Sequence, residues 1–97
     1  MNLLITQAIR EGRLLRLTYQ YQARTIEPHV LGLTKDRREA LLCRQLQPLA
    51  ADGAGWRLFY LAGISNLRML EDRFAAPPEE MLLSSEHFSA TYATLQP

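Results

Sequence analysis

The softest metal ligands and readiest nucleophiles of this 97-residue chain are one cysteine, Cys43, and two histidines, His29 and His87. The two histidines fall on different elements, and only Cys43 could join them as a soft ligand, so no pair has metal-site spacing. Cys43 lies in the apolar run "EALLCRQL", where a thiol reads as an inert core residue. Ser84 and Ser85 stand near His87, but at a helix start their hydroxyls are explained by capping. Glu71-Asp72 and Glu79-Glu80 are adjacent carboxylates in polar segments and read as solvated. The "DGAG" fragment neither opens a long helix nor follows a doubly wound unit, so it reads as a loop. The chain is expected to be non-catalytic, with no metal and no cofactor.

Arginine is the other chemical resource. Lys35 is the only lysine among eleven basic residues. A guanidinium offers a planar fork that grips phosphate or carboxylate in two places and stacks on rings. Three arginines interrupt otherwise apolar runs. Arg57 alternates with Phe59 and Leu61, Arg44 with Leu42 and Leu46, and Arg24 with Ile26, Pro28 and Val30. An unpaired buried guanidinium costs several kcal/mol, so each must reach the rim, pair with an acid or meet an anion. Glu27 and Glu39 are the nearest acids in sequence, although alternation puts Glu27 on the face opposite Arg24.

These arginines need elements to carry them. "NLLITQAIREG" repeats Leu4, Ile5, Ala8 and Ile9 at helical spacing and stops at Gly12. "LLRLTYQY" alternates Leu15, Leu17, Tyr19 and Tyr21 against Arg16, Thr18 and Gln20, which predicts a half-buried strand. "RTIEPHVLGL" predicts a second strand, with its proline and glycine marking an edge or a bulge. "TKDRRE" is a hairpin turn, "EALLCRQL" a third strand, and "QPLAADGAG" a loop. "GWRLFYLAG" and "ISNLRML" predict the fourth and fifth strands. After Pro77-Pro78, "SSEHFSATYATL" spaces Phe88, Tyr92 and Leu95 as one face of a short helix capped by Ser84 or Ser85.

Connections this short forbid crossover helices and hence a parallel sheet. The expected fold is mainly β: a small five-stranded SH3-like or Sm-like barrel with an N-terminal helix and a short C-terminal helix. One domain spans 1–97, with a core of about 5–78 and an acidic helical tail at 79–97. Residues 1–68 carry a net charge of +5 and residues 69–97 a net −4. The lone cysteine, the missing leader pattern and the lack of any long apolar run predict a cytoplasmic protein of bacterial type with no membrane partner.

In order and spacing, "AIREGRLLRLTYQ", "RTIEPHVLGLT", "EALLCRQL" and "GWRLFYLAGISNLRMLEDRFAAP" resemble a WYL domain, and especially its stand-alone versions, over roughly residues 5 to 78. The namesake Trp-Tyr-Leu tripeptide is absent, since the equivalent strand reads "ALLCR", and Gly63 stands where the family often has arginine. The resemblance implies an Sm-like or SH3-like barrel that binds nucleic acid or a nucleotide-like anion, in transcriptional or defence-related regulation. Carried over by position, the ligand-binding candidates are Tyr19, Arg24, Arg44, Gln45 and Arg57, with His29 a weaker one. Arginines would hold phosphates, Gln45 would bond a base edge or sugar, and Tyr19 or Trp56 would stack, unless both rings belong to the core.

There is no room for a helix-turn-helix, so duplex reading would fall to a separate DNA-binding partner. The alternative reading is a protein-interaction subunit without a small ligand. In that case the acidic tail meets the basic barrel of a second copy, or folds over its own. A third reading is a remnant whose site has decayed with the lost tripeptide.

Overall fold

The computed structural model describes residues 2–49, 51, 55–75 and 87–95. Helix α1, Leu3–Glu11, starts where Asn2 Oδ1 accepts the Ile5 N–H at 3.0 Å and ends at Gly12 in the left-handed region, φ 64°. A side chain at Gly12 would also press on the Phe74 carbonyl. The helix buries Ile5, Thr6, Ala8 and Ile9 against the sheet.

Among the described residues six antiparallel strands form that sheet: β1 Arg13–Tyr19, β2 Gln22–Thr34, β3 Glu39–Gln47, β4 Trp56–Tyr60, β5 Ile64–Arg73 and β6 Phe88–Thr94. The strand order is β4-β3-β2-β1-β5, with β6 also pairing β2. A short 3-10 turn, Leu61–Gly63, joins β4 to β5. Gln20 and Tyr21 close the first hairpin, both with positive φ, so Tyr21 leaves the inner face its alternation predicted and is fully exposed.

Strand β2 organises the rest. At 13 residues it is long enough to pair β1 along its first half and β6 along its second, with β3 on its other side. Pro28 and Gly32 mark a bulged centre, since the β2–β3 register shifts between Pro28 and Val30. The extra residue there reverses the alternation. Ile26 packs in the main core and Val30 in a second cluster, so the sequence grouping of Arg24 with Val30 breaks at His29.

The expected C-terminal helix is corrected to a strand where the chain is described, and the strand count rises from five to six; residues 84–86 of the expected helix lie outside the described residues. The second half of β2, Val30–Thr34, lies beyond the reach of β1, and Phe88–Thr94 pairs with it. Phe, Thr and Tyr suit a pleated surface. Two register shifts disturb the period of two and leave Phe88, Ala93 and Leu95 buried, a spacing that mimics a helix. Gly32 admits this strand, because a Cβ there would lie 2.4 Å from the Ala90 carbonyl and 2.8 Å from the Phe88 ring.

The main core joins α1 to Leu15, Leu17, Ile26, Leu41, Cys43 and Phe59. On the other sheet face Val30, Ala40, Leu42 and Phe88 cluster beneath Trp56, Leu58 and Tyr60. No helix among the described residues is long and apolar enough to cross a membrane.

Candidate functional site

The β-sheet register divides the candidate residues between two faces. Arg24, at the start of β2, stands beside Leu17 of β1 and points along the core face. Its Nη1 donates to Gln45 Oε1 at 2.8 Å and its Nη2 to the Tyr19 carbonyl at 3.2 Å. Gln45 is itself buried and donates its amide to the Pro48 carbonyl at 2.8 Å, so the amide orientation that receives Arg24 is held from both ends. The Arg24 guanidinium carbon lies 5.1 Å from the Phe59 ring centre and 5.8 Å from that of Tyr19. Those rings stack at 4.3 Å, and the Tyr19 hydroxyl accepts the Tyr60 N–H at 3.2 Å. Gly63 lets Tyr19 sit there: a Cβ at Gly63 would come within 2.9 Å of the ring.

Tyr19, Arg24 and Gln45 are thus one connected cluster at the rim of the core, with Phe59 as a member that the sequence reading placed only in the strand. Arg57 shares its face. It pairs across β3 with Cys43, and its Nη1 bends back to the Trp56 carbonyl at 2.8 Å. Burial pushes the Cys43 thiol far up from its ordinary range, and the positive charges of Arg24 and Arg57 only partly oppose that. An inert thiol is the result. Arg24 is half-buried, and both of its hydrogen-bond acceptors are neutral, so its charge is positioned without being neutralised. Its Nε is buried without an acceptor among the described residues.

Arg44 belongs to the opposite face. Trp56, Arg44 and Glu27 stand in one row across β4, β3 and β2. Glu27, not Glu39, is therefore the acid opposite an arginine of the set, and that arginine is Arg44. His29 is fully buried, with Nε2 3.4 Å from Glu27 Oε1. Its ring meets Trp56 edge-on at 4.8 Å and Phe74 at 5.2 Å, which makes it a core residue bridging β2 to two aromatics. His87 is exposed, and no group of three His, Cys, Asp or Glu among the described residues could hold a metal ion.

A neutral clasp around a guanidinium, layered on two aromatic rings, can accept an anion at its open side and a flat group against its rings. Comparison of the chain with protein-family models, curated proteins and solved structures found no match.

Proposed function

We propose that this chain is a non-catalytic binding module. It takes a nucleotide-like anion or single-stranded nucleic acid through the rim formed by Tyr19, Arg24, Gln45 and Arg57. The single observation that supports this reading is the half-buried Arg24, clasped by Gln45 Oε1 and the Tyr19 carbonyl, whose charge meets only neutral acceptors. A charge held in that way at a protein rim is compensated when an anion arrives. Within the same proposal the sheet is an SH3-like or Sm-like barrel of WYL type, acting in regulation. The strand order β4-β3-β2-β1-β5, with a 3-10 turn between β4 and β5, supports the barrel. The family assignment rests on the sequence resemblance alone. Arg44 and His29 leave the ligand site in this version, since both serve the other face.

The interaction-subunit alternative has less to support it. The large apolar side chains exposed among the described residues, Leu3, Tyr21, Leu49 and Tyr92, are few and stand on four separate segments of the chain.

Fluorescence anisotropy with a labelled nucleoside triphosphate, and with labelled single-stranded DNA and RNA, tests the proposal. Arg24→Ala should weaken binding by about tenfold or more, as expected for loss of a charged hydrogen-bonding partner. Arg44→Ala should bind as the unaltered protein does. Equal affinity of the unaltered protein and a folded Arg24→Ala variant for every probe would overturn it.

A further inference from the structure

The outer face of β1 carries a second arrangement, centred on Arg16 rather than on Arg24. Arg16 stands directly opposite Arg68 of β5 on one side and Thr25 of β2 on the other. Both arginines are exposed. Arg16 Nη1 donates to Thr25 Oγ1 at 3.0 Å, and neither guanidinium meets a carboxylate among the described residues. Like charges facing each other across a strand pair are unfavourable. Neighbouring strands lie about 4.8 Å apart, so both forks can close on one anion with several oxygens.

Three concavities run along this face. One of about 380 Å3 is lined by Arg16, Thr25, Gln47, Arg68, Leu70 and Asp72, among others. The next, about 220 Å3, shares Arg16 and Arg68 and adds Thr18 and Asn66. The third, about 340 Å3, shares Thr18 and reaches Tyr19, Gly63, Ser65 and the hairpin tip at Tyr21, so it borders the rim cluster at Tyr19. The groove therefore passes from an arginine pair, through hydroxyl and amide groups, to an aromatic ring.

That ring is held at a conformational cost. Tyr21 has φ 66° and is fully exposed, so no core contact rewards the left-handed backbone of a bulky residue. Two-residue hairpin turns of this kind favour Asn or Gly. Strain at an exposed aromatic next to a cationic groove is the arrangement of a stacking platform beside a backbone track.

We propose that this groove binds single-stranded nucleic acid, with a phosphate between Arg16 and Arg68 and a base stacked on Tyr21. A phosphodiester fits better than an acidic peptide, because the groove offers a flat aromatic end and hydrogen-bonding side chains between the cations. Asp72 closes the other end against a further phosphate. The inference does not rest on the Arg24 rim.

The test is anisotropy with a short fluorescein-labelled oligothymidylate over a salt series. Arg16→Gln/Arg68→Gln should lose at least about tenfold in affinity and lower the salt slope by about 0.7, from one phosphate no longer neutralised on a single strand. Tyr21→Asn should lose about tenfold through the missing stack, yet melt at a higher temperature because asparagine suits the turn. With a labelled nucleoside triphosphate as the probe, Arg16→Gln/Arg68→Gln should keep the affinity of the unaltered protein, so failure of the rim and failure of the groove are separable. An unaltered affinity in the folded double variant, absence of oligothymidylate binding by the unaltered protein, or binding of a labelled oligoglutamate in its place would each overturn the proposal.

Discussion

The Arg24 guanidinium carbon stands 5.1 Å from the centre of the Phe59 ring, and the opposite demand on that ring is the stack with Tyr19 at 4.3 Å. One phenylalanine thus holds together a cation and an aromatic that come from different strands. Phe59 is nearly fully buried, so the same residue anchors the main core. Phe59→Ala should destabilise the fold by about 3–5 kcal/mol. Urea denaturation monitored by circular dichroism measures it, and a loss below about 1 kcal/mol would mean that the rim is not supported by the core.

Gly32 and Phe88 give a second prediction, aimed at the strand that the sequence pattern hides. A methyl at position 32 meets the Ala90 carbonyl at 2.4 Å, a backbone atom that cannot turn aside. Gly32→Ala should therefore push β6 away from β2 and cost about 1–3 kcal/mol, in the range of overfilled sites. Amide hydrogen exchange should show lost protection in Phe88–Thr94 while β1 and β3 keep theirs. Uniform protection with unchanged stability would count against the β2–β6 pairing.

These two sites show where the sequence was readable and where it was not. Helix α1 and the first five strands follow from alternation, from the Gly12 stop and from the turn residues, because each of those signals is local. Strand β6 does not, since its burial pattern depends on register shifts against a partner more than fifty residues away. The arginine set divides for the same reason. Alternation groups Arg44 with Leu42 and Leu46 and Arg57 with Phe59, but only the β3–β4 register puts the two groups on opposite faces, and alternation in β2 fails past the bulge at His29. The Arg16–Arg68 apposition is equally invisible in sequence. Arg16 reads only as a polar-face residue, and its partner is chosen by the β1–β5 register.

His29 and Trp56 meet edge-on at 4.8 Å, and Trp56 is the only tryptophan. His29→Ala should open a cavity beside the indole, costing about 2–5 kcal/mol by analogy with other large-to-small core changes. It should also shift the Trp56 emission to longer wavelength as water enters. An unchanged spectrum with unchanged stability would remove His29 from the core and return it to the list of ligand contacts.

The buried Cys43 thiol makes stability depend on pH in a predictable direction. Its pKa in the folded protein is raised, chiefly by burial, well above the value of about 8.5 for an unfolded thiol. A group with a raised folded pKa contributes fully below its unfolded pKa. Above about pH 8.5 the unfolded thiol ionises while the folded one does not, so stability falls with rising pH. The limiting slope is about 1.4 kcal/mol per pH unit. Other groups also titrate in this range, so the informative quantity is the difference between the protein and Cys43→Ala, followed by urea midpoint from pH 7 to pH 10 in a reducing buffer. The two curves should run parallel at the acid end and diverge at the alkaline end, with the cysteine form falling faster. A disulfide reagent should modify Cys43 only in urea. Parallel curves throughout, or rapid modification of the native protein, would mean that the Cys43 thiol reaches solvent and that the Arg24–Arg57 face is open beneath its rim.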